Sequence, residues 1–295
     1  MPFLREKSGR WSPEKIVAFA GACVPALWLA WRAWSGDLSP ARPVNDAIHS
    51  VGNYAVWLVI ISLTITPARR LFMAPKLINM RRTLGVAAFC YAALHLTLYI
   101  AEQKYNLVKV VSEIALRFYL TIGFVALIGL IALTVTSTDG MIRRLGAARW
   151  NRLHQAIYLI AVLGIVHFLL QTKLDISESI MAFGFLAWLL GYRLLHRFVG
   201  AVTPLWQLVL TAIATVLTAC GETAWYAFGT GVAPWRVFSA NLEWEMAFRP
   251  AHWVLLVGIG VTLASFLWSL RPQPEKARRT SSRAPSGAIQ VQSGS

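Results

Sequence analysis

Apolar residues gather along this chain in eight runs separated by polar or basic clusters. The runs are Ile16–Trp34, Ile48–Thr66, Leu84–Ile100, Phe118–Thr136, Leu153–Leu170, Ile180–Leu195, Leu205–Ala224 and Trp253–Leu270. Each approaches the roughly 20 residues that a helix needs to cross a hydrocarbon core about 30 Å thick. The seventh run is the most polar, with Thr211, Thr215, Thr218 and Glu222 inside it. Pro204 and this Thr-rich run mark a break in organisation near residue 200. The pattern therefore predicts an all-α membrane protein: a six-helix core over residues 16–200 and two appended helices over 201–270.

Composition agrees, with 57% hydrophobic and only 14% charged residues and a mean hydropathy of +0.55. A soluble domain usually carries about 25% charged residues. The net charge of +15 would suggest nucleic acid in a soluble protein, but its distribution points elsewhere. Arg69, Arg70, Lys76, Arg81 and Arg82 follow the second run; Arg143, Arg144, Arg149 and Arg152 follow the fourth; Arg193 and Arg197 follow the sixth. Alternate connections hold the acids Asp37, Asp46, Glu102, Glu113, Asp175, Glu178, Glu243 and Glu245. Lys and Arg concentrate on the cytoplasmic side, so both termini are expected there, with no nucleic-acid partner. The basic stripe contacts the lipid bilayer instead.

Residues 1–15 are basic and polar for too long to be a cleaved signal peptide, so the first run reads as a retained helix. Residues 271–295, rich in Ser, Pro and Arg, read as a disordered basic cytoplasmic tail. Cys23, Cys90 and Cys220 lie in apolar runs without metal or disulfide spacing, and read as small buried residues. There is no dinucleotide-binding glycine motif, no phosphate-binding loop and no room for a soluble domain.

The candidate chemistry lies in the histidines. Read as one helix from Trp150 to Gln171, the fifth run carries His154 and His167 thirteen residues apart. That is about 20 Å along a helix, which puts one histidine near each membrane face. His95 lies thirteen residues beyond Arg82 in the parallel third helix, level with His167. A lone buried histidine is usually a core residue bonded to a carbonyl or hydroxyl. Two at matched depth, with a third on the same helix, favour axial ligation of heme iron. Thirteen steps of about 100° leave His154 and His167 on different sides of an ideal helix. A symmetric two-heme pattern would want a histidine opposite His154, where Arg81 and Arg82 stand. Arginine does not ligate iron; it suits a heme propionate, a flavin phosphate or a quinone oxygen. His196, at the same level, is either a second inner-site ligand or an interfacial residue beside Arg193 and Arg197. His49 and His252, at the outer ends of runs, read as interfacial.

Three stretches carry a family likeness: RRTLGVAAFCYAALHLTLYI from Arg81, TSTDGMIRRLGAARWNRLHQAIYLIAVLGIVHFLLQ from Thr136, and the six-helix pattern around them. Over about residues 10–198 the chain resembles the MsrQ family, within the ferric-reductase-like transmembrane superfamily. The resemblance implies a ferric-reductase-like six-helix core in a bacterial inner membrane. It implies b-type heme, one or two, held by His95, His154 and His167, with Arg81 where related oxidases carry a fourth histidine. It further implies electrons drawn from the quinone pool or a bound flavin mononucleotide (FMN), the latter served by a cytoplasmic flavin reductase. Their destination would be a periplasmic molybdopterin-containing methionine-sulfoxide reductase that repairs oxidised proteins. Two other classes compete: a stand-alone transmembrane ferric reductase, and a non-redox transporter or assembly factor with structural histidines.

Overall fold

The computed structural model describes residues 10–172, 175–245 and 248–271. In chain order the helices are α1 (Pro13–Ser35), α2 (Pro43–Leu71), α3 (Ile78–Glu102), α4 (Leu107–Leu116), α5 (Phe118–Val135), α6 (Asp139–Leu145), α7 (Ala147–His154), α8 (Ile157–Gln171), α9 (Ser177–Val199), α10 (Pro204–Thr230), α11 (Pro234–Ala240) and α12 (Pro250–Ser269). Among the described residues, eight helical segments are long and apolar enough to cross a membrane, α7 and α8 counting as one. They coincide with the eight apolar runs, and the protein is a multi-pass helical membrane protein. Of the expected disordered tail, residues 272–295 lie outside the described residues, as do residues 1–9.

Local sequence sets where the helices start and stop. Proline occupies the first turn of α1, α2, α10, α11 and α12, where its missing N–H costs nothing and its fixed φ suits a helix. The Thr203 side chain accepts the Trp206 N–H and so caps α10. The helices overrun the apolar runs at polar ends; α2 extends from Ile48 back to Pro43 and from Thr66 on to Leu71.

Packing follows membrane rules. Large apolar side chains such as Val24, Leu27, Trp28, Leu263 and Leu267 face outward, while the interior uses small residues, with Ala88, Ala182, Ala214 and Ser179 almost fully buried. α2 packs along α3, α5 along α8, and α1 against α3. The Tyr91 hydroxyl donates to the Ala22 carbonyl at 2.7 Å and fastens α3 to α1. α9 is the joint, touching α2 and α8 on one side and α10 and α12 on the other. Trp188 Nε1 donates to Thr211 Oγ1 at 3.0 Å, and Ser265 Oγ donates to Gln207 Oε1 at 3.1 Å. Thr211 and Gln207 of the seventh run are thus buried glue between helices, while Thr215 and Thr218 bond to carbonyls of their own helix. Arg193, on α9, donates to the carbonyls of Leu189 and Leu63 and lies over the Tyr158 ring at 5.3 Å.

The structure departs from the sequence reading in two places. The single helix expected from Trp150 to Gln171 is broken between α7 and α8. Gln155 N reaches Arg152 O, Ala156 N reaches Leu153 O and Tyr158 N reaches Gln155 O, at 3.0–3.3 Å. These are three-residue closures, tighter than an α-helix, so His154 ends its own short helix. The second departure is α4, in the connection after the third run. Asn106 caps it by accepting the Lys109 N–H at 3.0 Å, and Leu107, Val108, Val111 and Leu116 remain exposed. That surface suits a helix lying in the membrane interface.

Candidate functional site

α2, α3, α5 and α8 enclose a cavity of about 400 Å³ at the acid-bearing end of the bundle, opening beside α4. Small residues make the space: Ala55, Ala92, Ala126, Ala161 and Gly164 line it. His95 from α3 and His167 from α8 face each other within it, ring centres 6.2 Å apart and planes at 85°. The equal depth expected from helix rise is therefore realised.

Each imidazole is fixed by its neighbouring helix. His95 Nδ1 donates to the Ile48 carbonyl of α2 at 2.8 Å, and His167 Nδ1 donates to the Tyr119 carbonyl of α5 at 2.8 Å. A carbonyl only accepts, so both rings carry the proton on Nδ1 and keep Nε2 for a ligand. Two metal–imidazole bonds of about 2.0 Å, with roughly 1.1 Å from nitrogen to ring centre at each end, separate ring centres by about 6.2 Å. The observed spacing matches. No cluster of three or more His, Cys, Asp or Glu that could hold a metal ion occurs among the described residues. Two histidines alone leave a bare ion under-coordinated, so the pair suits a metal whose remaining ligands come from a macrocycle. At the mouth stand His49, Asn53, Lys109, Glu113 and Arg117. Arg117 pairs with Glu113 and donates to the Tyr119 hydroxyl at 3.0 Å. Asn53 donates to Glu178, while its buried Oδ1 has no partner.

The other expected site residues go elsewhere. His154 Nε2 lies 3.2 Å from Thr136 Oγ1, whose hydrogen is directed to the Ala132 carbonyl at 2.7 Å. Trp150 stacks on the His154 ring at 3.9 Å and donates its indole N–H to the Thr136 carbonyl. Arg81 is near enough for its charge to act on both His154 and Arg193. Arg82 points away and pairs with the exposed Asp139 at 2.9 Å. His196 stacks with Tyr192 and lines a different cavity, with Arg70, between α2, α9, α10 and α12. His252 is buried, bonded to Asn241 O and stacked on Trp244, rather than interfacial. The cavity mouth supplied by α4 has no counterpart among the eight apolar runs; its signal in the sequence is Asn106 before the amphipathic LVKVVSEIAL segment.

Comparison with known proteins matches residues 51–165 to the ferric reductase like transmembrane component family. That segment contains Gly52, His95, Arg81, Gly123 and His154, and ends two residues short of His167. The chain is 40% identical over 156 residues to the protein-methionine-sulfoxide reductase heme-binding subunit MsrQ of Caulobacter vibrioides, covering 52% of this chain and 74% of that protein. It is 38% identical over 191 residues to the subunit of the same name from Rhodospirillum rubrum, covering 64% and 89%. The Xanthomonas campestris protein of that name is 39% identical over 189 residues, covering 62% and 86%. No solved structure matches. With most of each relative aligned at this identity and the histidine pair in place, the chain belongs to the MsrQ family of heme-binding subunits.

Proposed function

We propose that this protein is a membrane electron-transfer subunit that binds b-type heme between His95 and His167. The observation that carries the reading is the facing pair, each ring held through Nδ1 by a backbone carbonyl, which leaves both Nε2 atoms for iron, with ring centres 6.2 Å apart. Heme supplies a one-electron couple tuned by its axial ligands and by burial. The chain's own residues hold the rings, exclude water with the Ala-rich walls, and offer Lys109 at the mouth to the heme carboxylates.

His154, Trp150 and Arg81 occupy the opposite, basic end, and we assign them to the donor side. There Arg81 would meet a quinone oxygen, a flavin phosphate or a propionate; Arg82, already paired, would not. The distribution of Lys and Arg supports an inner-membrane orientation with both termini cytoplasmic. The relatives' name supports a methionine-sulfoxide reductase as the acceptor; on this reading it is a separate molybdopterin-containing subunit in the periplasm, and the chemistry on sulfoxide is done there.

The test is the oxidised and dithionite-reduced absorption spectrum of the detergent-purified full chain, with heme measured per chain. Sharp low-spin b-type bands, lost in both His95→Ala and His167→Ala, are expected. A colourless protein after expression with ample heme, or full heme in both variants, would overturn the reading.

A further inference from the structure

Two glycines on different helices meet the two imidazoles in the same way. An added Cβ at Gly52 would lie 2.9 Å from His95 Nδ1 and 3.0 Å from Cε1. At Gly123 it would lie 2.7 Å from His167 Nδ1, 2.8 Å from Cε1 and 3.0 Å from Cγ. Each ring bonds to the carbonyl four residues before its glycine: Ile48 for Gly52, Tyr119 for Gly123. In an α-helix that carbonyl already accepts the N–H of the residue four ahead, here the glycine itself. A carbonyl oxygen has two lone pairs, and only a residue without a side chain lets an imidazole reach the second.

We infer that Gly52 and Gly123 are positioning residues: each opens a helix carbonyl to the neighbouring imidazole and thereby fixes which nitrogen faces the cavity and how the ring is turned. This rests on the heme reading and deepens it. The two devices sit on different helices, α2 and α5, so the crossed ring planes are set by backbone rather than by mobile side chains. An N–H···O=C bond on the remote nitrogen also raises the basicity of the ligating one. A stronger donor favours the ferric state, so loss of the bond moves the midpoint potential upward.

The graded contacts give a graded test. Gly123→Ala, Gly52→Ala and a control, Gly85→Ala, whose Cβ meets nothing within 4 Å on α3, are made in the full chain purified with heme. Heme retention against an apo-myoglobin trap, the midpoint potential and the low-spin electron paramagnetic resonance g values are read for each. Gly123→Ala is expected to release heme about 10–100-fold more readily, with a raised potential and shifted g values in the fraction retained. Gly52→Ala should change in the same direction by less, and Gly85→Ala should match the parent. If Gly123→Ala does not fold, Gly52→Ala alone decides, because its contacts are the less severe of the two. A heme-loaded parent with alanine variants unchanged in retention, potential and g values overturns the inference alone. A parent without heme overturns the inference and the functional reading together.

Discussion

Replacing Glu222 tests what holds the appended helices in place. This carboxylate is 3% exposed on α10, yet it is fully used. Oε1 accepts from Arg249 Nη1 at 2.9 Å and Oε2 accepts from Asn241 Nδ2 at 2.8 Å. Arg249 precedes α12, and its backbone N–H donates to His252 Nδ1 at 3.1 Å. His252 in turn donates from Nε2 to the Asn241 carbonyl at 2.9 Å. One buried acid therefore ties α10 to both later segments.

Removing one partner of a buried ion pair costs about 3–5 kcal/mol, because the other charge is stranded. Two features reduce the figure. The Arg249 side chain is 33% exposed and can turn to water, and Asn241 Nδ2 keeps the Val237 carbonyl at 3.0 Å. Glu222→Ala is then expected to cost about 2–4 kcal/mol. At roughly 2–4 °C per kcal/mol for a chain of this size, the melting point falls by about 5–15 °C. Glu222→Gln keeps the shape but only one acceptor oxygen, setting its NH2 against Arg249 or Asn241, and should lose somewhat less than the alanine variant. The assay is thermal unfolding in detergent followed by tryptophan fluorescence, with heme content measured at low temperature. Both variants melting within a degree or two of the parent would refute the assignment of this acid as the clamp. Heme lost at low temperature, with helix content kept, would mean that α10 also shapes the histidine cavity.

The basic end yields two further expectations. His154→Ala should leave the heme held by His95 and His167 spectrally intact, because His154 is bonded to Thr136 and stacked on Trp150, far from that cavity; loss of all heme bands in the variant would contradict this. Arg81→Ala should slow heme reduction by a quinol or reduced flavin, while Arg82→Ala should not, since Arg82 is turned to the exposed Asp139. Stopped-flow reduction of the two variants side by side decides it, and equal rates would remove Arg81 from the donor side.

The membrane architecture is legible in the order of residues alone. The eight runs mark which segments are helical, because the bilayer demands long apolar segments with internally paired backbones. The level match of His95 and His167 also comes from counting, since helix rise per residue varies little. Counting fails where the winding changes. The three-residue closures at Gln155–Tyr158 separate His154 from the helix of His167, and nothing in RWNRLHQAIY announces them. Arg82 and Asp139, fifty-seven residues apart, form a pair that spacing alone could not suggest.

The sequence by itself determined what lies at each depth: apolar spans, basic and acidic ends, and two histidines on one level. Depth is a one-dimensional quantity, and a chain of regular helices encodes it directly. Tertiary structure decided what stands beside what. Lateral neighbours depend on which helix faces pack, and in a membrane that is settled by small residues permitting close approach. Hence Gly52 and Gly123, inconspicuous in the sequence, are where two helix backbones meet the imidazoles. The same packing sent His196 to another cavity, and enclosed Glu222 between partners from the two later segments because a buried carboxylate must be paired.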